Sequence, residues 1–203
     1  MALALEKLAE YVHERRQLSE ARRDLAAEVT ENGRSWALNV AEASRIQDEL
    51  NADLKIIRAV RSRAPAEGKL DYSVAFFAAK DGPWQAARQS GSLILMPDQE
   101  LQLHAWFNGI LASVMESMHT LETTLQMAGA IATSDTPEKL DARDLDDLAS
   151  RTLEAQGRLA NLKMFLHFEE TGLQELQRAT ASRETPTRGT TSRTTMCTAA
   201  RCI

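Results

Sequence analysis

Glu116 and His119 form an E-x-x-H in a stretch with helical periodicity. That spacing puts a carboxylate and an imidazole on one helix face, as helical bundles do when they hold a pair of metal ions. A complete site needs two such motifs and two further glutamates. His167, followed by Glu169 and Glu170, has the wrong spacing to supply them. Glu116 and His119 are therefore metal candidates only, and a surface or boundary histidine is the favoured reading. His13, His104 and His167 are otherwise isolated, so spacing yields no Ser–His–Asp set. Cys197 and Cys202 make a C-x4-C with no neighbouring histidine or third cysteine to complete a tetrahedral zinc site. No cofactor is implied.

Arginine is the other chemically informative residue. Residues 13–23 read HERRQLSEARR, with Arg15, Arg16, Arg22 and Arg23 in pairs. Beside a membrane, each such arginine contributes on the order of 1 kcal/mol toward anionic lipid head groups. Away from one, Glu14 and Glu20 can pair with arginines three or four residues on, such as Arg23, along a solvated helix flank. Nucleic acid is not an expected partner: the chain carries a net charge of −5, and no aromatic stacking platform accompanies the arginines.

These residues must be positioned by helices. Among 203 residues there are five prolines and nine glycines, with 5% aromatic and 43% hydrophobic residues. Such composition leans all-helical. From residue 2 to 63 there is no proline, and apolar residues recur every three or four positions through Leu18, Leu25, Val29, Trp36, Val40, Ile46, Leu50 and Ile57. The period predicts one very long helix, continuous through Gly33 and stopped at Pro65 and Gly68. Asp71 is a plausible N-cap for a short helix through Ala78, and residues 84–90 predict a second. Ser92–Met96 reads as a buried linker. A second long helix is predicted from Pro97 and Asp98 to about 132, with Ala105, Ala112, Met115 and Met118 on its buried face. A third runs from about 138 or 140 to 181. Trp84 and Trp106 are expected to be largely buried, with Phe76, Phe77, Phe165 and Phe168 beside them. From 182 to 203 the Thr/Arg-rich tail has no apolar period and predicts disorder. No window is apolar enough to span a membrane, and no signal peptide is recognisable, so the chain reads as soluble as written.

The opening LALEKLAEYVHERRQLSEARRDLAAEVTENGRSW resembles the juxtamembrane helix of a large group of uncharacterised bacterial single-pass membrane proteins. The stretch from Trp84 to Pro97 is similar to their W-x-x-A-x-x-S-G-x-L-x-L-M-P segment. The resemblance covers the first hundred residues and brings no activity with it. It implies attachment to the cytoplasmic face of the bacterial inner membrane. The membrane helix itself is missing, and residues 1–5 look like its last turn.

The expected fold is all-α. It is an elongated antiparallel bundle over 1–181, with two short helices between the first and second long ones and residues 1–28 projecting. The expected function is non-enzymatic: a scaffold that associates with another helix, through self-association, along the face of Leu18, Leu25, Val29 and Trp36. A small-molecule-sensing bundle with a pocket near Trp84, Met96 and Trp106 is one alternative. A metal-dependent bundle enzyme is another.

Overall fold

In a computed structural model, residues 2–132 and 139–184 are described. They form α1 (Ala2–Arg61), α2 (Gly82–Gln89), a 3-10 turn (Ser92–Leu95), α3 (Asp98–Ile131) and α4 (Ala142–Glu184). Among the described residues there is no strand, and the fold is all-α. The residues of the predicted tail from 185 on, with Cys197 and Cys202, lie outside the described residues. So does the loop at 133–138.

Helix α1 passes through Gly33 without a break and extends about 90 Å at 1.5 Å per residue. It ends where Arg63 takes a left-handed conformation (φ 55°) and the Ala64 N–H bonds the Ala59 carbonyl at 2.9 Å. Helix α4 runs antiparallel to α1, as the contacts of Gln47 with Lys163, Asn51 with Gln156 and Arg61 with Asp146 require. It is also antiparallel to α3, where Arg151 meets Met127 and Gly172 meets Phe107.

In each long helix the covered positions alternate by four and three residues. The alternation holds from Arg22 to Val60 on α1, from Phe107 to Ala128 on α3 and from Leu145 to Leu176 on α4. This seven-residue period keeps one seam turned toward neighbouring helices along its length. The central core joins Ala43, Ile46 and Leu50 of α1 to Val114, Leu121 and Leu125 of α3 and to Leu159 and Leu162 of α4. The seam of α3 passes through Phe107 and Val114, so the expected Ala105, Ala112 and Met115 are exposed instead.

The segment expected to be a helix from Asp71 to Ala78 is an extended strap laid antiparallel along α1. Tyr72, Val74 and Phe76 alternate inward against the central core, while Ser73, Ala75 and Phe77 point outward. The strap's peptide groups are bonded by side chains of α1. Asn39 donates to the Phe77 carbonyl (2.9 Å) and accepts from the Phe77 N–H (2.8 Å). Asn32 makes the same pair with Lys80 (2.8 and 2.7 Å). Glu42 accepts from Ala75 N–H, Asp53 from Asp71 N–H and Glu28 from Trp84 N–H. An extended chain advances about 3.3 Å per residue against 1.5 Å for a helix. Residues 71–84 therefore keep pace with twice their number on α1. Asp71 does accept from the Ser73 N–H, as a capping residue would, but the chain continues extended. The strap takes the place that a second helix would fill in an up-down-up-down bundle.

Candidate interaction surface at the amino-terminal end

Two short elements close over α1 after the strap. Trp84 and Ala87 of α2, with Leu93 and Met96 around the 3-10 turn, bury Leu25, and Leu18 and Ala21 pack against this cluster. Glu28 of α1 accepts the Trp84 N–H at 3.0 Å, satisfying a donor in the first turn of α2. Its carboxyl is pushed up to about 7, chiefly by burial; the Trp84 bond opposes the shift and Asp81 adds to it. Arg22 holds Glu100, at the start of α3, with two bonds (3.0 and 2.7 Å). Helix α1 is therefore fixed where it leaves the bundle.

Beyond that point residues 3–16 are all exposed. The seam continues in the same phase through Leu8, Tyr11 and Arg15. Leu8 is 58% exposed and Tyr11 52%, and Leu5 (66%) and Val12 (57%) flank them. Together they form the broad apolar stripe that a helix normally turns to a core. The Arg15 guanidinium lies over the Tyr11 ring, 5.3 Å from its centre.

The residues expected to contact another chain are therefore placed differently. Leu25 is covered by the short elements and Val29 by Phe107, Leu111, Leu173 and Leu176. Trp36 is half-buried and donates its indole N–H to the Leu166 carbonyl at 2.9 Å. Leu18 is half-buried. The expectation let residues 1–28 project; α2 and the 3-10 turn fold back over α1 and shorten that projection. Of the four arginines, Arg22 pairs with Glu100, whose side chain is 2% exposed, so its charge is already partnered within the chain. Arg16 pairs with Glu20 and Arg23 with Asp24, both at the surface.

The metal candidates Glu116 and His119 are both exposed on α3. Glu10 and His13 repeat their spacing, but on the exposed projecting segment. Among the described residues no three His, Cys, Asp or Glu side chains gather as metal ligands. Trp84 and Met96 are buried against Leu25, whereas Trp106 is 46% exposed beside Gly172, so the three do not line one pocket. The groove that Trp84 borders with Asn108 and Met115 is open. The expected linker Ser92–Met96 contains a 3-10 turn over Ser92–Leu95; Ser92, Leu93 and Met96 are buried, whereas Ile94 is 85% exposed. Phe76 and Phe165 are half-buried, while Phe77 (47%) and Phe168 (44%) are more exposed.

Besides Glu100, three buried carboxyls are residues that spacing alone did not single out. Asp53 is 1% exposed and Glu169 2%; each is pushed up to about 7, mainly or wholly by burial, and each keeps one oxygen without a hydrogen-bond partner. Glu28 is the third. Tyr72 lies near Asp53 and is also pushed up by burial. Its hydroxyl meets Thr152 Oγ1 at 2.8 Å; because Thr152 donates to the Leu148 carbonyl, Tyr72 is the donor. The available signal was positional: Asn32, Asn39, Asp53 and Glu169 all sit on seam positions. No helix is long and apolar enough to cross a membrane among the described residues. No protein-family model, curated protein or solved structure matches this chain.

Proposed function

We propose that this protein is a non-enzymatic association module, with the bundle as a rigid base and residues 3–16 of α1 as its contact element. One observation carries the reading: Leu5, Leu8, Tyr11 and Val12 form a stripe that nothing in the described chain covers. A free peptide of about 15 residues would be only marginally helical in water. Here the helix is ordered by the docked part of α1, so less conformational freedom is lost when a partner helix lies on it. Sedimentation velocity tests this. The parent should exceed its monomer mass of 22.5 kDa at micromolar concentration, and Leu8→Glu with Val12→Glu should return it to monomer at unchanged helicity. A parent that stays monomeric, or a variant of undiminished mass, would refute the reading.

Attachment to an anionic membrane surface is a second reading. Arg16 favours it, with a side chain 78% exposed next to the same stripe; Arg23, 76% exposed, lies further along α1. Co-sedimentation with phosphatidylglycerol vesicles, compared with phosphatidylcholine vesicles, tests it.

A further inference from the structure

We infer that the occupant of the projecting stripe is the same segment of a second copy, running antiparallel, in the register that sets Leu8 of each copy beside Tyr11 of the other. This rests on the association proposed above and adds its geometry. On the seam's period, Lys7 and Glu14 both fall just before a seam residue, on one flank; Leu5 and Val12 fall just after one, on the other flank. In an antiparallel pair, like flanks meet. With Leu8 beside Tyr11, each Lys7 meets Glu14 of the second copy, and each Leu5 meets Val12 of the second copy. Arg15 falls beside the small Ala4 of the second copy, which leaves room for its stem.

Two features select this arrangement. Sliding the copies by one seven-residue period sets Lys7 against Lys7, or Glu14 against Glu14, and like charges oppose both registers. A parallel pair sets Arg15 against Arg15 within the seam. It also forces two bundles side by side where α2 and the 3-10 turn already cover Leu25.

Charge exchange separates this geometry from simple stickiness. All the variants change exposed residues, so folding should be preserved and helicity is checked by circular dichroism. In low salt, Lys7→Glu and Glu14→Lys should each weaken the dimer, on the order of tenfold in Kd by sedimentation equilibrium, because each change turns two attractive contacts into repulsive ones. The double variant Lys7→Glu/Glu14→Lys should recover parent affinity, and high salt should shrink the single-variant losses. If Leu8→Glu abolishes the dimer but the double variant fails to recover, the stripe associates in another geometry and this inference falls alone. If Leu8→Glu changes nothing, the association reading falls with it. A parent that is monomeric in solution and binds phosphatidylglycerol vesicles makes lipid the occupant and overturns the pairing.

Discussion

Replacing Glu169 with glutamine should flatten the protein's stability against pH. Glu169 occupies a seam position between Leu166 and Leu173, is 2% exposed and leaves Oε2 without a partner. Burial lifts its carboxyl from 4.5 to about 7. Between those values the folded protein holds a proton that the unfolded chain has released. The free energy of unfolding therefore falls as pH rises through this window, and the loss is complete above about 7. A tenfold difference in proton affinity between the folded and unfolded states is worth about 1.4 kcal/mol, so Glu169 alone accounts for up to ~3 kcal/mol between pH 4.5 and 7. Glu28 and Asp53 are shifted in the same direction, so the parent should be markedly more stable in mild acid than in mild alkali. Glutamine cannot ionise. Its buried amide imposes its own penalty, about 1–2 kcal/mol, but that penalty does not vary with pH. The test is urea unfolding of parent and Glu169→Gln from about pH 5 to 8. The variant's stability relative to the parent should rise by ~2–3 kcal/mol across the range. A difference independent of pH would show that Glu169 ionises as easily folded as unfolded, and the burial argument would fail.

Asn39→Ala should cost about 2–4 kcal/mol in urea unfolding, since it strips both bonds from the partly buried Phe77 peptide groups; faster hydrogen exchange at the Phe77 amide would locate the loss, and unchanged exchange would contradict it. Gly172→Ala would bring a Cβ to 2.6 Å from Phe107 Cδ2, and Phe107 is fully buried, so melting should occur at lower temperature by an amount equivalent to ~1–2 kcal/mol after the helix-propensity gain is subtracted. Gly157→Ala meets nothing within 4 Å and should instead stabilise by about 0.5–1 kcal/mol; equal effects from the two glycines would refute the packing argument. Arg22→Met removes the two-bond partner of a nearly buried Glu100 and should lose about 2–3 kcal/mol in urea unfolding, much of it recovered in Arg22→Met/Glu100→Gln.

The long helices were legible because their apolar residues recur over many turns, and Gly33 did not interrupt the phase from Val29 to Trp36. The strap was not legible. Leu70, Tyr72, Val74 and Phe76 alternate as an extended segment does, but the run is short and holds, at Asp71, a residue that caps helices well. What decides its conformation lies some twenty to fifty residues earlier, in the amides and carboxyls of α1 that bond its peptide groups. Glu169 escaped notice for a similar reason: a glutamate among leucines looks like surface until the seam is counted in sevens. The contact face was misplaced because nothing in the periodicity tells which stretch of a uniform seam will be covered by the chain's own short elements.

The polar seam residues of α1 nevertheless separate its two uses. Asn32, Asn39 and Asp53 lie on one seven-residue column, and each bonds a backbone group of the strap. An extended chain presents unpaired N–H and C=O groups, so a helix that covers one must offer side-chain partners for them. Further back, the same column reads Leu25, Leu18, Tyr11 and Ala4, without an amide or a carboxyl. Leu25 is covered by side chains of α2 and the 3-10 turn, elements whose backbone groups are largely satisfied within themselves. By the same rule, the exposed part of the column is suited to a helix, which arrives with its backbone already bonded, and unsuited to an extended peptide. A peptide laid on Leu8 and Tyr11 as the strap is laid on Asn32 and Asn39 would find no amide on that column to bond both groups of a peptide, and only Glu14, on the flank that Glu28 and Glu42 occupy, to accept an N–H.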